Sequence, residues 1–332
     1  MLFLSLLISS TMITISALSW FTAWMGLEMN LLSIIPLMKT QNNKFTAEAS
    51  IKYFIIQTMG SSCLLFSIIL LSTINLMKLN LQFTPSLMLN FILFLKMGTA
   101  PLHFWLPEVL SGLDWNLVLI ILTWQKIAPM VLVSYNMNSY LFLSIIIIIS
   151  SLVGGVQGMN QICMRKIMAF SSINHMGWMI AALICSMNLW LYYFMIYSLI
   201  NISIIMLFNK YHMFYINQFS KLFAYNKNLK LMFMCNFFSL GGLPPFIGFL
   251  PKWLVINYLV KFNFTSLSTI LVILTLMTLY FYTRVCFSSL TLLSDHSHPS
   301  ILENTQKNFW YFFFNFLILN SLPMCFFLSN IF

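Results

Sequence analysis

About eleven apolar runs, each long enough to cross a bilayer, follow one another with short polar connections: roughly 2–20, 22–38, 52–74, 86–106, 114–133, 139–158, 167–185, 188–208, 230–258, 266–288 and 309–329. A hydrocarbon core about 30 Å thick takes about 20 apolar residues in helical form. Backbone polar groups meet no water there, so only helices and closed barrels span it. Runs of this length predict an all-α polytopic membrane protein with about 11 transmembrane helices, a single transmembrane domain over 1–332. Composition agrees, with 60% hydrophobic and 7% charged residues. Lipid is as apolar as such helices, so small residues, close packing and interhelical hydrogen bonds must hold them together. The longest polar connection, about 210–230, still carries Phe, Tyr and Leu, and no soluble domain is expected. In the loop 39–50, Glu48 stands four residues before Lys52, the spacing of a surface ion pair on a helix.

Eleven spans place alternate loops on opposite faces. The face shared with the amino terminus then receives Lys39, Lys44, Lys52, Arg165, Lys166, Lys210, Lys221, Lys227, Lys230, Arg284 and Lys307, and the other face only Lys78 and Lys261. This positive-inside asymmetry predicts an amino terminus on the matrix or cytoplasmic side. Lys96, Lys126 and Lys252, with Glu28, fall inside predicted spans. A charge at mid-bilayer costs about 2.5–3.5 kcal/mol even on the lenient insertion scale, so these four need partners or a wet cavity.

Two of the spans are interrupted. SLGGLPPFIGFLPKW (239–253) carries Gly241-Gly242, Pro244-Pro245 and Pro251 beside Lys252. GTAPLHFWLPE (98–108) aligns with GLPPFIGFLPK (242–252) at a constant offset of 144, matching Gly98 to Gly242, Pro101 to Pro245, Leu106 to Leu250 and Pro107 to Pro251. The prolines are expected to break both helices, since each removes a donor and clashes with the preceding turn. The broken spans are the fourth and ninth, so repeat one (about 1–134) and repeat two (about 138–290) hold five helices each, with a last helix at 309–329. An odd helix number inverts one repeat relative to the other, and paired broken helices in inverted repeats point to an ion pathway.

Other function classes find little support. The net charge of +10 is scattered through loops with no basic stripe, and no nucleic acid is expected. The six cysteines form no CxxC and read as small core residues. His296 and His298 form a lone HxH in a loop, and no metal site is expected. No GxGxxG, P-loop, haem or iron–sulfur spacing occurs, so no cofactor is expected in this chain. The amino-terminal MLFLSLLISS has the features of neither a signal peptide nor a transit peptide. Fourteen lysines to two arginines, with abundant Phe, Ile, Asn and Met, fit an AT-rich genome and a protein encoded inside an organelle.

The motifs WMGLE (24–28), EASIKYF (48–54), KMGTAPLHFWLPE (96–108), LTWQKIAP (122–129), RKIMAFSSINHMGWM (165–179) and SLGGLPPFIGFLPKW (239–253) together resemble, in order, the chain 2 family of NADH–ubiquinone oxidoreductase in an arthropod-like form. These are antiporter-like core membrane subunits of mitochondrial respiratory complex I. The resemblance implies two inverted five-helix repeats with two discontinuous helices. It implies a mitochondrial inner-membrane location, multi-pass with the amino terminus toward the matrix. It also implies proton translocation coupled to electron transfer from NADH to ubiquinone in other subunits. NADH, FMN, iron–sulfur clusters and ubiquinone would be used by the whole complex. Partners would be the other membrane and accessory subunits, and lipids such as cardiolipin. By the same resemblance Glu28 pairs with Lys96 at the entry, Lys126 is the central relay lysine, His175 stands between Lys126 and Lys252, and Lys252 is the exit lysine. Desolvation lowers the proton affinity of a buried lysine and a nearby carboxylate raises it, so moving Glu28 would switch Lys96.

Alternatives stay open on sequence alone. The same lysines would serve a cation/proton antiporter outside complex I, or ion pairs that only fix helix packing in a scaffold. Lys252 at a helix end could snorkel to the headgroups. His103 reads as a satisfied polar group at a kink or as a relay, and Glu108 and Asp114 read as solvated.

Overall fold

The computed structural model describes residues 2–39, 43–76, 83–137, 139–218 and 227–290. The predicted helix at 309–329 and the His296/His298 pair lie outside them. The described elements are helical apart from one isolated bridge, Cys163 with Tyr215. Contacts divide the chain into Met1–Ser150 and Ser151–Phe332, described in turn.

The first unit holds α1 (Leu2–Ile15), α2 (Trp20–Met38), α3 (Lys44–Leu76), α4 (Phe83–Met97), α5 (Trp105–Gly112), α6 (Trp115–Leu122), α7 (Trp124–Ser134) and the start of α8 (Tyr140–Met159). Ser19 opens α2 through a capping box: its hydroxyl accepts from Thr22 N at 3.2 Å, and Thr22 Oγ1 accepts from Ser19 N at 3.3 Å. The predicted loop 39–50 is shorter than expected, because α3 begins at Lys44 with a polar turn that extends the apolar run. Lys52 there meets Glu48 at 2.7 Å, as the spacing predicts, and also Glu108 of α5 at 3.0 Å, all three side chains being exposed. The predicted single span 114–133 is divided at Thr123, whose hydroxyl turns back on Leu119 O at 2.7 Å. Buried Asn90 and Asn136 tie α4 to the end of α7: Asn90 donates to Asn136 O at 2.9 Å, and Asn136 donates to Ser86 O at 2.7 Å.

The second unit holds the rest of α8, then α9 (Met164–Cys185), α10 (Met187–Tyr211), α11 (Lys227–Gly241), α12 (Phe249–Lys261) and α13 (Thr265–Leu290). Almost every residue of α9 is buried, making it the core helix of this unit. Arg284 of α13 donates to the carbonyls of Met159 and Gln161 and so caps the end of α8. Arg165 lies 4.7 Å from the centroid of Phe214, beside the bridge that ties 162–164 to 214–216. Most Ser and Thr hydroxyls in both units donate to carbonyls three or four residues back, which satisfies them inside apolar surroundings.

Both predicted breaks are present, and their backbone geometry repeats at the same offset of 144. Gly98 and Gly242 have φ of 71° and 78°. Gly98 N donates to Leu95 O at 3.1 Å and Thr99 N to Phe94 O at 3.1 Å; Gly242 N donates to Ser239 O at 3.0 Å and Leu243 N to Phe238 O at 3.2 Å. Each is a Schellman ending, which needs a left-handed residue just past the helix. The helices restart at Trp105 and Phe249, again 144 apart. One expectation needs correcting: the glycines end the first halves, and Pro107 and Pro251 interrupt nothing. Those prolines lie in the first turns of α5 and α12, where the first amides have no intrahelical acceptor anyway.

Candidate functional site

At the first break, the carbonyls freed at the end of α4 are capped by neutral donors. Trp105 Nε1 donates to Leu95 O at 3.0 Å and Gln57 Nε2 to Lys96 O at 3.2 Å. The Lys96 side chain, 7% exposed, lines a small cavity with Asn30, Tyr53, Gln57 and Gln125 as its other polar walls and Leu27, Leu31 and Pro129 as its apolar ones. The cavity holds about 20 Å³, room for one water. Gln125 Nε2 donates to Asn30 Oδ1 at 2.9 Å across it. Sequence reading named the lysine and missed its amide surroundings. The legible signal was Asn30, Gln57 and Gln125 standing inside apolar runs.

Glu28 is half-buried on α2, close enough for its charge to act on Lys96 through space. Among the described residues the ion pairs within 4.0 Å are those of Lys52, so the expected Glu28–Lys96 contact is not closed here. Lys126 is 1% exposed, three residues past the division at Thr123. His103, 3% exposed, has Nδ1 3.2 Å from the Pro101 carbonyl of its own turn, which favours the satisfied polar group at a kink. Glu108 is exposed as expected, but paired with Lys52.

The second unit answers the snorkelling alternative. Lys252 is 6% exposed and turns inward, its Nζ donating to Leu240 O at 3.2 Å and Gly241 O at 2.8 Å. Those carbonyls close α11, where the helix dipole favours a cation. The ammonium also lies 5.9 Å from the Trp178 ring centroid. A Cβ on Gly242 would stand 2.8 Å from Lys252 Cδ, so this glycine supplies both the left-handed turn and the room for the lysine. His175, 4% exposed, is one helical turn from Trp178 on α9, with Nδ1 2.9 Å from the Tyr193 hydroxyl. On the same helix Trp178 Nε1 is buried with no protein hydrogen-bond partner. Left unsatisfied, a buried polar atom of this kind costs about 1–3 kcal/mol. The structure thus sets Lys96 within reach of the Glu28 charge in one unit, and in the other sets Lys252 beside Trp178, one helical turn from His175. Among the described residues no cluster of three or more His, Cys, Asp or Glu could hold a metal.

Buried cations beside two broken helices are the architecture of ion-translocating membrane subunits. The model of the NADH:quinone oxidoreductase/Mrp antiporter transmembrane family matches residues 17–278. NADH-ubiquinone oxidoreductase chain 2 of Anopheles gambiae is 50% identical over 312 residues, 93% of this chain and 88% of that one. The chain belongs to this family, in its chain 2 branch. Members from Locusta migratoria and Elephas maximus are 43% and 40% identical, covering 93% and 94% of this chain and 90% and 89% of theirs. The family fold also matches a chain of respiratory complex I from Thermus thermophilus with bound aureothin, at a TM-score of 0.85 and 20% identity, over 97% of this chain and 79% of that one. The Mrp complex from Dietzia sp. matches at 0.77 and 16%, over 84% and 58%. At those identities the likeness speaks for the fold alone.

Proposed function

We propose that the chain is a core membrane subunit of respiratory complex I that forms a proton-translocation path, while other subunits carry electrons from NADH to ubiquinone. The observation that carries this reading is the inward-turned Lys252 on the freed carbonyls of a broken helix, with Lys96 in a polar cavity at the matching break. The whole complex would act as a proton-translocating NADH:ubiquinone reductase, with NADH, FMN, iron–sulfur clusters and ubiquinone handled outside this chain. Other complex I membrane and accessory subunits would surround it in the mitochondrial inner membrane, with anionic lipids such as cardiolipin at its flanks.

In this reading Glu28, Lys96 and Lys126 are the proton-holding groups of the first unit, and His175 and Lys252 those of the second. Glu28 acts on Lys96 through space, so a small movement of α2 changes how firmly Lys96 holds its proton. A water in the cavity would give Lys96 a proton donor or acceptor other than Glu28. In the second unit the Leu240 and Gly241 carbonyls hold Lys252 whether its nitrogen carries two protons or three, because both forms donate. The shared offset of 144 supports two five-helix repeats, about 1–134 and 138–290. The positive loops support an amino terminus in the matrix, which protease protection of an amino-terminal tag in mitoplasts would test.

The assignment itself is tested by mild solubilisation of the native membrane, separation on a native gel and staining for NADH dehydrogenase activity. Peptides of this chain are expected in the stained band with the redox subunits. Their recovery only in a small band without NADH activity would replace this reading with a cation/proton antiporter.

A further inference from the structure

From Trp115 to Ser294 the sequence contains no Asp or Glu, so His175 and Lys252 have no carboxylate from their own part of the chain. Lys252 is held by backbone carbonyls. His175 is held by α10, which presents Tyr193, Tyr197 and Asn201 at four-residue spacing on one face. Tyr193, 2% exposed, places its hydroxyl 2.9 Å from His175 Nδ1, and the Tyr197 ring lies 5.1 Å from the imidazole, centroid to centroid. Tyr197 in turn engages Ser172 and Asn201.

We propose that Tyr193 is the positioning residue of His175: its hydroxyl oxygen accepts from Nδ1–H and so leaves Nε2 as the atom that gains and loses the relayed proton. The inference rests on the relay reading of His175 above. The hydrogen bond at one imidazole nitrogen sets the tautomer and so decides which state the other nitrogen takes. The balance is simple. One proton arrives on Nε2 and the same proton leaves it, while Nδ1–H and the tyrosine O–H are unchanged. A neutral oxygen suits this task better than a carboxylate, which would hold the imidazolium and retain the proton. Besides Tyr193, the buried titratable groups on α10, α12 and α13 are Tyr197, Lys252, Tyr282 and Cys286, and none of the three helices carries a carboxylate.

The test uses inner-membrane vesicles with the assembled complex, comparing Tyr193→Phe, Tyr193→Gln and His175→Asn by proton-to-electron ratio across pH. Loss of the acceptor disfavours the protonated ring, so in Tyr193→Phe the alkaline limb of the profile is expected to move down by about one pH unit. Tyr193→Gln supplies a neutral amide oxygen and is expected to keep the limb close to its native place. A native profile in Tyr193→Phe, with a lowered ratio in His175→Asn, overturns the proposal and leaves the relay standing. A Gln limb displaced as far as the Phe limb, or displaced in the absence of an assembled Phe variant, overturns it too. An unchanged ratio in His175→Asn removes the relay reading of His175, and this inference with it.

Discussion

Lys252 and Glu108 occupy the same place in the two broken helices, 144 residues apart and fourth in α12 and α5, yet one is buried and the other exposed. Lys252 turns back onto the open end of the preceding half-helix, whereas Glu108 turns out to Lys52. The equivalent carbonyls, Lys96 O and Leu240 O, show the consequence: an amide from Gln57 caps the first and the ammonium of Lys252 caps the second. One backbone frame thus carries two kinds of plug, a fixed neutral one and a titratable one.

Two glycine variants separate the frame from its contents. Gly98→Ala and Gly242→Ala both place a side chain at positive φ, costing about 1–2 kcal/mol each. In Gly98→Ala the new Cβ meets Leu106 Cδ1 at 2.8 Å, so assembly weakens and coupling per assembled complex holds. In Gly242→Ala it meets Lys252 Cδ at 2.8 Å and Nζ at 3.1 Å, so the proton-to-electron ratio falls as well. Native-gel yield and the ratio, measured side by side, check this contrast.

Removing the caps has unequal costs. Trp105→Phe deletes one neutral hydrogen bond to Leu95 O and is expected to cost about 1 kcal/mol. Lys252→Met deletes two bonds from a charged donor and strands both carbonyls, a loss of about 3 kcal/mol. Heat dissociation of the complex, followed on native gels, should rank the second variant well below the first.

Gln125→Leu breaks the hydrogen bond that Asn30 Oδ1 accepts across the Lys96 cavity. A buried polar atom left alone costs about 1–3 kcal/mol. The expected result is slower coupled proton transfer with the complex still assembled, read as a lower rate of vesicle acidification at equal NADH dehydrogenase staining.

Phe237, fully buried, packs against the tilted ring of Phe233 at 4.7 Å and lies 5.9 Å from Tyr282 between ring centroids. Phe237→Ala opens a cavity there and is expected to cost about 3–5 kcal/mol. Lys52→Ala acts on exposed groups alone and is expected to leave assembly and coupling unchanged. Thermal melting of the purified complex distinguishes the two.

The sequence by itself determined the membrane class, the order of the described helices, both breaks and the identity of the buried cations. Each is local: apolar length sets a span, a glycine at positive φ ends a helix, and a lysine inside a run is costly wherever the run goes. Tertiary structure decided what those features do. Prolines 107 and 251 read as breakers, yet they open helices, because position within a turn and not residue type sets their effect. Glu28 and Lys96 fall 68 residues apart in sequence, and only packing sets whether they touch; here no ion pair closes between them. The amides around Lys96 and the tyrosine on His175 come from different helices. Their partnership depends on which faces pack together, and periodicity within one helix cannot state that for a neighbour.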